Sequence, residues 1–97
     1  ELLDSNKQIQ PSYNYPNPIT KGYTTFRFYV KDESQLKINI YDINGFKIES
    51  LVNPNVVNNE YNEIKWEDIS GLSAGLYYAE VVFENRKSEL IKLAIIQ

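Results

Sequence analysis

The sequence predicts an all-β fold, an antiparallel β-sandwich of about seven strands. Three observations predict it. Apolar and polar residues alternate with period two through several short runs. Clusters of Asn, Asp, Gly and Pro, the residues that turn a chain, separate those runs. No segment longer than a turn carries apolar residues at helical spacing.

Residues 1–10 are polar and unpatterned and read as a linker or tail, with Ile9 the earliest start of a first strand. Residues 11–97 form one domain. Pro16 and Pro18 each fix φ and remove a backbone donor, and each pushes its predecessor, Tyr15 and Asn17, into extended geometry. The result is a stiff entrance suited to a sheet edge or to a crossover between sheets. Lys21-Gly22 turns the chain. Over residues 24–30, Phe26, Phe28 and Val30 share one face and Thr25, Arg27 and Tyr29 the other. After a turn at Asp32-Glu33-Ser34, Leu36, Ile38 and Ile40 face inward, with Lys37, Asn39 and Tyr41 outward. Asp42-Ile43-Asn44-Gly45 is a hairpin turn, because Asn-Gly tolerates positive φ. Residues 46–52 return.

A polar loop opens at Asn53-Pro54-Asn55. Residues 61–66 alternate again, and Trp66, the single tryptophan, ends that run and caps the core. Residues 75–83 present Tyr77, Ala79, Val81 and Phe83 on one face. A polar turn over 84–87 leads into the last strand, 88–96, with Ile91, Leu93 and Ile95 inward. The predicted core is therefore Phe26, Phe28, Ile38, Ile40, Trp66 and Val81. Strands of this number and spacing are those of an immunoglobulin-like sandwich.

At 97 residues the chain folds as one domain, and a chain of that size buries roughly 60–70% of the surface its unfolded form exposes. Cysteine is absent, so the apolar core carries stability without disulfides. Methionine is absent even at position 1, which leads us to expect a fragment, a processed product or a piece of a longer reading frame, with the leader of an exported parent upstream of Glu1. The net charge of −3 and scattered basic residues argue against a nucleic-acid partner. The densest basic spot, Arg86-Lys87, reads as a solvated turn. No apolar stretch is long enough to cross a bilayer as a helix.

Reactive chemistry is scarce. Histidine and cysteine are both missing, which removes the usual general base, the thiol nucleophile, and the nitrogen and sulfur ligands of zinc. The chain is expected to be no enzyme, with no catalytic residues, metal site or cofactor. Gly71-Leu72-Ser73-Ala74-Gly75 fits the G-x-S-x-G nucleophile elbow, but that elbow needs a strand before it, a helix after it and a histidine partner. Here a strand follows, so a loop entering a strand is the reading, and a hydrolase using Ser73 the remote one. Asp42-x-Asn44-Gly45 starts like a calcium loop, but its glycine comes too early for an EF-hand. Tyr29, Tyr41 and Tyr61 take the outward parity of three strands. They form an aromatic platform for sugar rings if those strands are neighbours. Tyrosine's preference for exposed strand positions explains them equally well.

Four motifs in order carry a resemblance. They are Tyr15-Pro16-Asn17-Pro18, then Ile38-Asn39-Ile40-Tyr41-Asp42-Ile43-Asn44-Gly45, then Ile64-Lys65-Trp66, then Gly71-Leu72-Ser73-Ala74-Gly75-Leu76-Tyr77. The set resembles the type A C-terminal sorting domain of the type IX secretion (Por secretion) system, whose members also carry a basic residue shortly before the end, as Lys92 does. The Ig-like domain of the flagellar hook-capping protein shares much of the pattern, but Trp66-Glu67-Asp68 departs from its usual run. The resemblance implies an address with Pro16, Asn17, Pro18, Gly75, Tyr77 and Lys92 as its sorting elements. It also implies a cargo domain N-terminal in the same chain and passage through the periplasm of a Gram-negative bacterium. The partners it implies are an outer-membrane translocon and a sortase that cuts upstream, near residues 1–10. The cargo is then released or attached to surface lipopolysaccharide. The last strand is the expected recognition surface, since a terminal edge strand leaves backbone groups for a partner to pair with. The alternative is a structural or adhesive module, hook-cap-like or carbohydrate-binding, within a larger extracellular protein.

Overall fold

The computed structural model describes residues 9–96. Seven strands follow in order: β1 (Tyr13–Tyr15), β2 (Thr24–Val30), β3 (Leu36–Tyr41), β4 (Lys47–Asn53), β5 (Glu60–Trp66), β6 (Gly75–Val82) and β7 (Glu89–Ile95). All pair antiparallel, in two sheets of order β1-β2-β5 and β4-β3-β6-β7. No helix occurs among the described residues. The predicted all-β sandwich is the observed fold. In the constant-type immunoglobulin arrangement the fourth strand joins the sheet of the first, second and fifth; here β4 lies on the opposite sheet, beside β3. The tight Asp42–Gly45 turn gives β4 no length in which to cross over.

That turn differs in detail from the expectation. Gly45 alone takes positive φ, at 88°, while Asn44 does not. Asp42 holds the loop instead: its Oδ1 accepts from the N–H groups of Asn44 (2.9 Å) and Phe46 (3.0 Å). A register shift follows at Ile40/Tyr41, so the turn is a bulged one and not a two-residue type I′ hairpin. Phe46 accordingly stays outside the strand and 69% exposed.

The core lies between the sheets. Phe26, Phe28 and Val30 from β2 and Trp66 from β5 meet Leu36, Ile38 and Ile40 from β3, Tyr77, Ala79 and Val81 from β6, and Ile91, Leu93 and Ile95 from β7. The period-two rows put them there, and full burial of each large side chain contributes about 2 kcal/mol. Phe26 and Trp66 stack with centroids 6.3 Å apart. Ile19 and Ile69, which belong to loops, complete the core.

Three expectations are corrected. The first strand starts at Tyr13, and Ile9 is an exposed residue outside it. Of the tail at residues 1–10, residues 1–8 lie outside the described residues, as does Gln97. Arg86 is no free turn residue: its guanidinium lies 3.7 Å from the centroid of the Phe83 ring and donates to Tyr29 O at 2.8 Å, tying the β6–β7 turn to β2. Asn39 is outward by parity yet buried, because β4 and β6 flank it and Ser50 Oγ donates to its Oδ1.

Candidate recognition site

The Tyr15–Pro18 entrance crosses the rim of the sandwich, from the edge strand β1 to the edge strand β7. Asn14 starts the crossing. It is the inward residue of β1, buried, and its Nδ2 donates to Thr24 Oγ1 at 3.0 Å. Thr24 Oγ1 in turn donates to Pro16 O at 3.0 Å. The Tyr15-Pro16 and Asn17-Pro18 peptides are both cis. Two prolines offer no N–H to a sheet, so the side chain of Asn17, between them, does the pairing. Its Nδ2 donates to Lys92 O (3.1 Å) and to Asn14 Oδ1 (3.2 Å), and its Oδ1 accepts from Ala94 N (3.2 Å). Backbone pairing resumes at Ile19, whose N–H donates to Ala94 O (2.7 Å) and whose carbonyl accepts from Ile96 N (2.9 Å). Ile19 thus adds a parallel bridge to Ile95 and buries its own side chain. Further along, Ser12 donates from both N–H and Oγ to Glu89 Oε1.

These bonds correct one expectation. The C-terminal half of β7 is not an open edge, since Lys92 O, both backbone groups of Ala94 and Ile96 N are taken by the entrance segment. What β7 presents there is side chains. Lys92 is exposed on the outer face of the four-stranded sheet, in register with Tyr78 and, one strand further, Tyr41. No ion pair or hydrogen bond engages its ammonium among the described residues. Leu76 pairs with Ala94 on the same face and is 41% exposed.

Gly75 and Tyr77 reach the same end from β6. Gly75 pairs with Ile95 at φ 147°, a conformation that side chains with a Cβ rarely adopt. Tyr77 sits opposite Leu93 with its ring buried, and its hydroxyl donates to Ser73 O at 2.7 Å. Ser73 is therefore an exposed loop residue whose carbonyl anchors a core tyrosine. Between this end and the next loop, Ile19, Gly22, Ile69, Ser70, Ile95 and Ile96 line a depression of about 320 Å³. Asn17, Gly75, Tyr77 and Lys92, far apart in sequence, meet along the C-terminal half of β7, and Pro16 and Pro18 flank Asn17 there.

Sequence reasoning missed Asn14, Ile19 and the Ser12–Glu89 contact. Asn14 had a signal: an amide at the inward position of Tyr13-Asn14-Tyr15. It also missed a reciprocal clasp at the opposite end of the molecule. There Glu33, buried, accepts from the N–H groups of Glu84 and Asn85, while Glu84 accepts from Ser34 N and Oγ. The Ser34 N–H holds the Glu84 carboxyl below its ordinary pKa. The tyrosine platform is corrected in membership: Tyr29 and Tyr61 meet edge to face at 5.2 Å, but Tyr41 is on the other sheet.

The profile of the secretion system C-terminal sorting domain family matches residues 14–97. The match begins at the Asn14 anchor and spans every strand after β1. No curated protein and no solved structure matches the chain. This chain belongs to the secretion system C-terminal sorting domain family, the type IX class that its motifs resemble. It is a sorting signal for an exported cargo that is secreted or held at the cell surface.

Proposed function

We propose that the clasped end of the sandwich is what the outer-membrane translocon of the type IX system reads, after the cargo has reached the periplasm of a Gram-negative cell. The observation that carries this reading is the convergence of the family's motif residues on one end. The Asn17 amide and the Ile19 backbone fix the path of β7, so Lys92 and Leu76 are held in one arrangement on a rigid sheet face. A fixed constellation of one cation and flanking apolar side chains binds a protein partner at lower entropic cost than a loose tail. The partner reads side chains there, because the backbone edge beside Asn17 is already paired.

The domain acts as an address and not as an enzyme. Supporting this are the missing histidine and cysteine and the position of Ser73 in a loop that enters a strand. A sortase then cuts upstream, within residues 1–10 or ahead of them, and the cargo is released or joined to surface lipopolysaccharide. A fluorescent protein with a periplasmic signal, fused ahead of this chain, tests the reading. In a host with the secretion system the fusion is expected in the medium or on the surface. In the same host lacking the translocon it is expected to stay in the periplasm. Retention in both hosts contradicts the proposal.

A further inference from the structure

The outer face of the three-stranded sheet has no role in the clasp, and its composition is unusual. Five of the eight tyrosines project from it: Tyr13 and Tyr15 of β1, Tyr29 of β2, Tyr61 of β5, and Tyr23 just ahead of β2. No aliphatic side chain of β1, β2 or β5 joins them, because Ile64, Phe26, Phe28 and Val30 take the opposite parity. We propose that this face is a carbohydrate-binding site: neutral hexose units of a glycan stack on Tyr13 and Tyr15 while their hydroxyls bond to Glu63 and Arg27.

The geometry argues for that ligand chemistry. Tyr13, Tyr15, Arg27 and Glu63 line a shallow depression of about 580 Å³ across the outer face of β1, β2 and β5. The two rings stand side by side along β1, centroids 6.1 Å apart and tilted by 36°, each 43% exposed. Such a ledge offers two adjacent faces to the C–H side of successive sugar rings. Next to it is a charge pair already fixed in place. Glu63 Oε2 accepts from Tyr15 Oη at 2.8 Å and from Arg27 Nη1 at 2.9 Å. The Arg27 guanidinium also lies 4.6 Å from the centroid of the Tyr61 ring, which is itself braced by Tyr29 and by Gln10 N–H on its hydroxyl. Among the described residues nothing bonds to Glu63 Oε1 or to the remaining Arg27 N–H groups. The pair therefore offers sugar hydroxyls a free acceptor and free donors side by side. Because the two charges cancel, the ledge attracts neither nucleic acid nor a strongly anionic polymer. This inference is independent of the sorting reading.

The test is affinity electrophoresis of the whole chain in native gels cast with galactomannan, hydroxyethylcellulose or dextran. At least one of the three is expected to slow the wild-type chain. Tyr13→Ala with Tyr15→Ala is expected to weaken that retardation about tenfold, the loss of two ring contacts. Tyr15→Phe keeps its ring and is expected to lose less. Val52→Ala, on the other sheet, is expected to migrate like the wild type. All three positions are exposed, and circular dichroism confirms that each variant is folded. Normal migration of the wild type in all three polymers overturns the proposal, as does retardation that the folded double variant retains.

Discussion

Tyr77 is held at both ends of its side chain, with the ring beneath Leu93 and the hydroxyl on Ser73 O. Its inward position and need for a partner were legible from period-two alternation and from the chemistry of a buried phenol. Which carbonyl would answer was not, because a loop's path is not encoded by periodicity. Tyr77→Phe removes that bond alone and is expected to cost about 1 kcal/mol, a fall in Tm of roughly 4–8 °C for a domain this size. Glu84 gives a prediction in pH. Its folded pKa is depressed below the ordinary 4.5 by the Ser34 N–H first and the Ser34 hydroxyl next. The stability it contributes is therefore present above that value and lost as pH falls through the lower, folded one. Thermal melts taken down through this range should show a smaller decline for Glu84→Gln than for the wild type. An equal decline in both would mean the clasp contributes nothing through its charge.

Strand positions followed from alternation at nearly every element, since a half-buried strand cannot hide its pattern. The entrance segment was legible as stiff and extended, but its docking place was not. Nothing local in Pro16-Asn17-Pro18 specifies a partner strand some seventy-five residues away, as the span from Asn17 to Lys92 is. Asn17 substitutes a side-chain amide for the backbone amides its prolines lack, a solution visible only once β7 is beside it. Asn17→Ala is expected to free Ala94 N–H, and hydrogen exchange at Ala94 should rise well above that at Leu93, whose residue row pairs with β6. A global destabilisation of about 1 kcal/mol should accompany it. At the opposite edge of the same sheet, in the β3–β4 turn, Gly45→Ala forces a Cβ into φ 88° and is expected to cost about 1 kcal/mol although its side-chain space is empty.

Viewed whole, the molecule is a sandwich tied at both ends, by carboxylate clasps beside Glu33 and Glu84 and by the Asn17–Ile19 strap beside Lys92. The separation of those ends makes the recognition reading testable without unfolding the protein. Lys92→Glu and Leu76→Lys alter exposed side chains at the strapped end, whereas Lys87→Glu makes the same charge change at the far turn. The most direct measurement is the fraction of a reporter fusion secreted by each of these three variants, with melting temperatures matched to the wild type. Secretion should be lost in the first two and retained in Lys87→Glu; equal secretion from all three would contradict the assignment of the strapped end as the surface that is read.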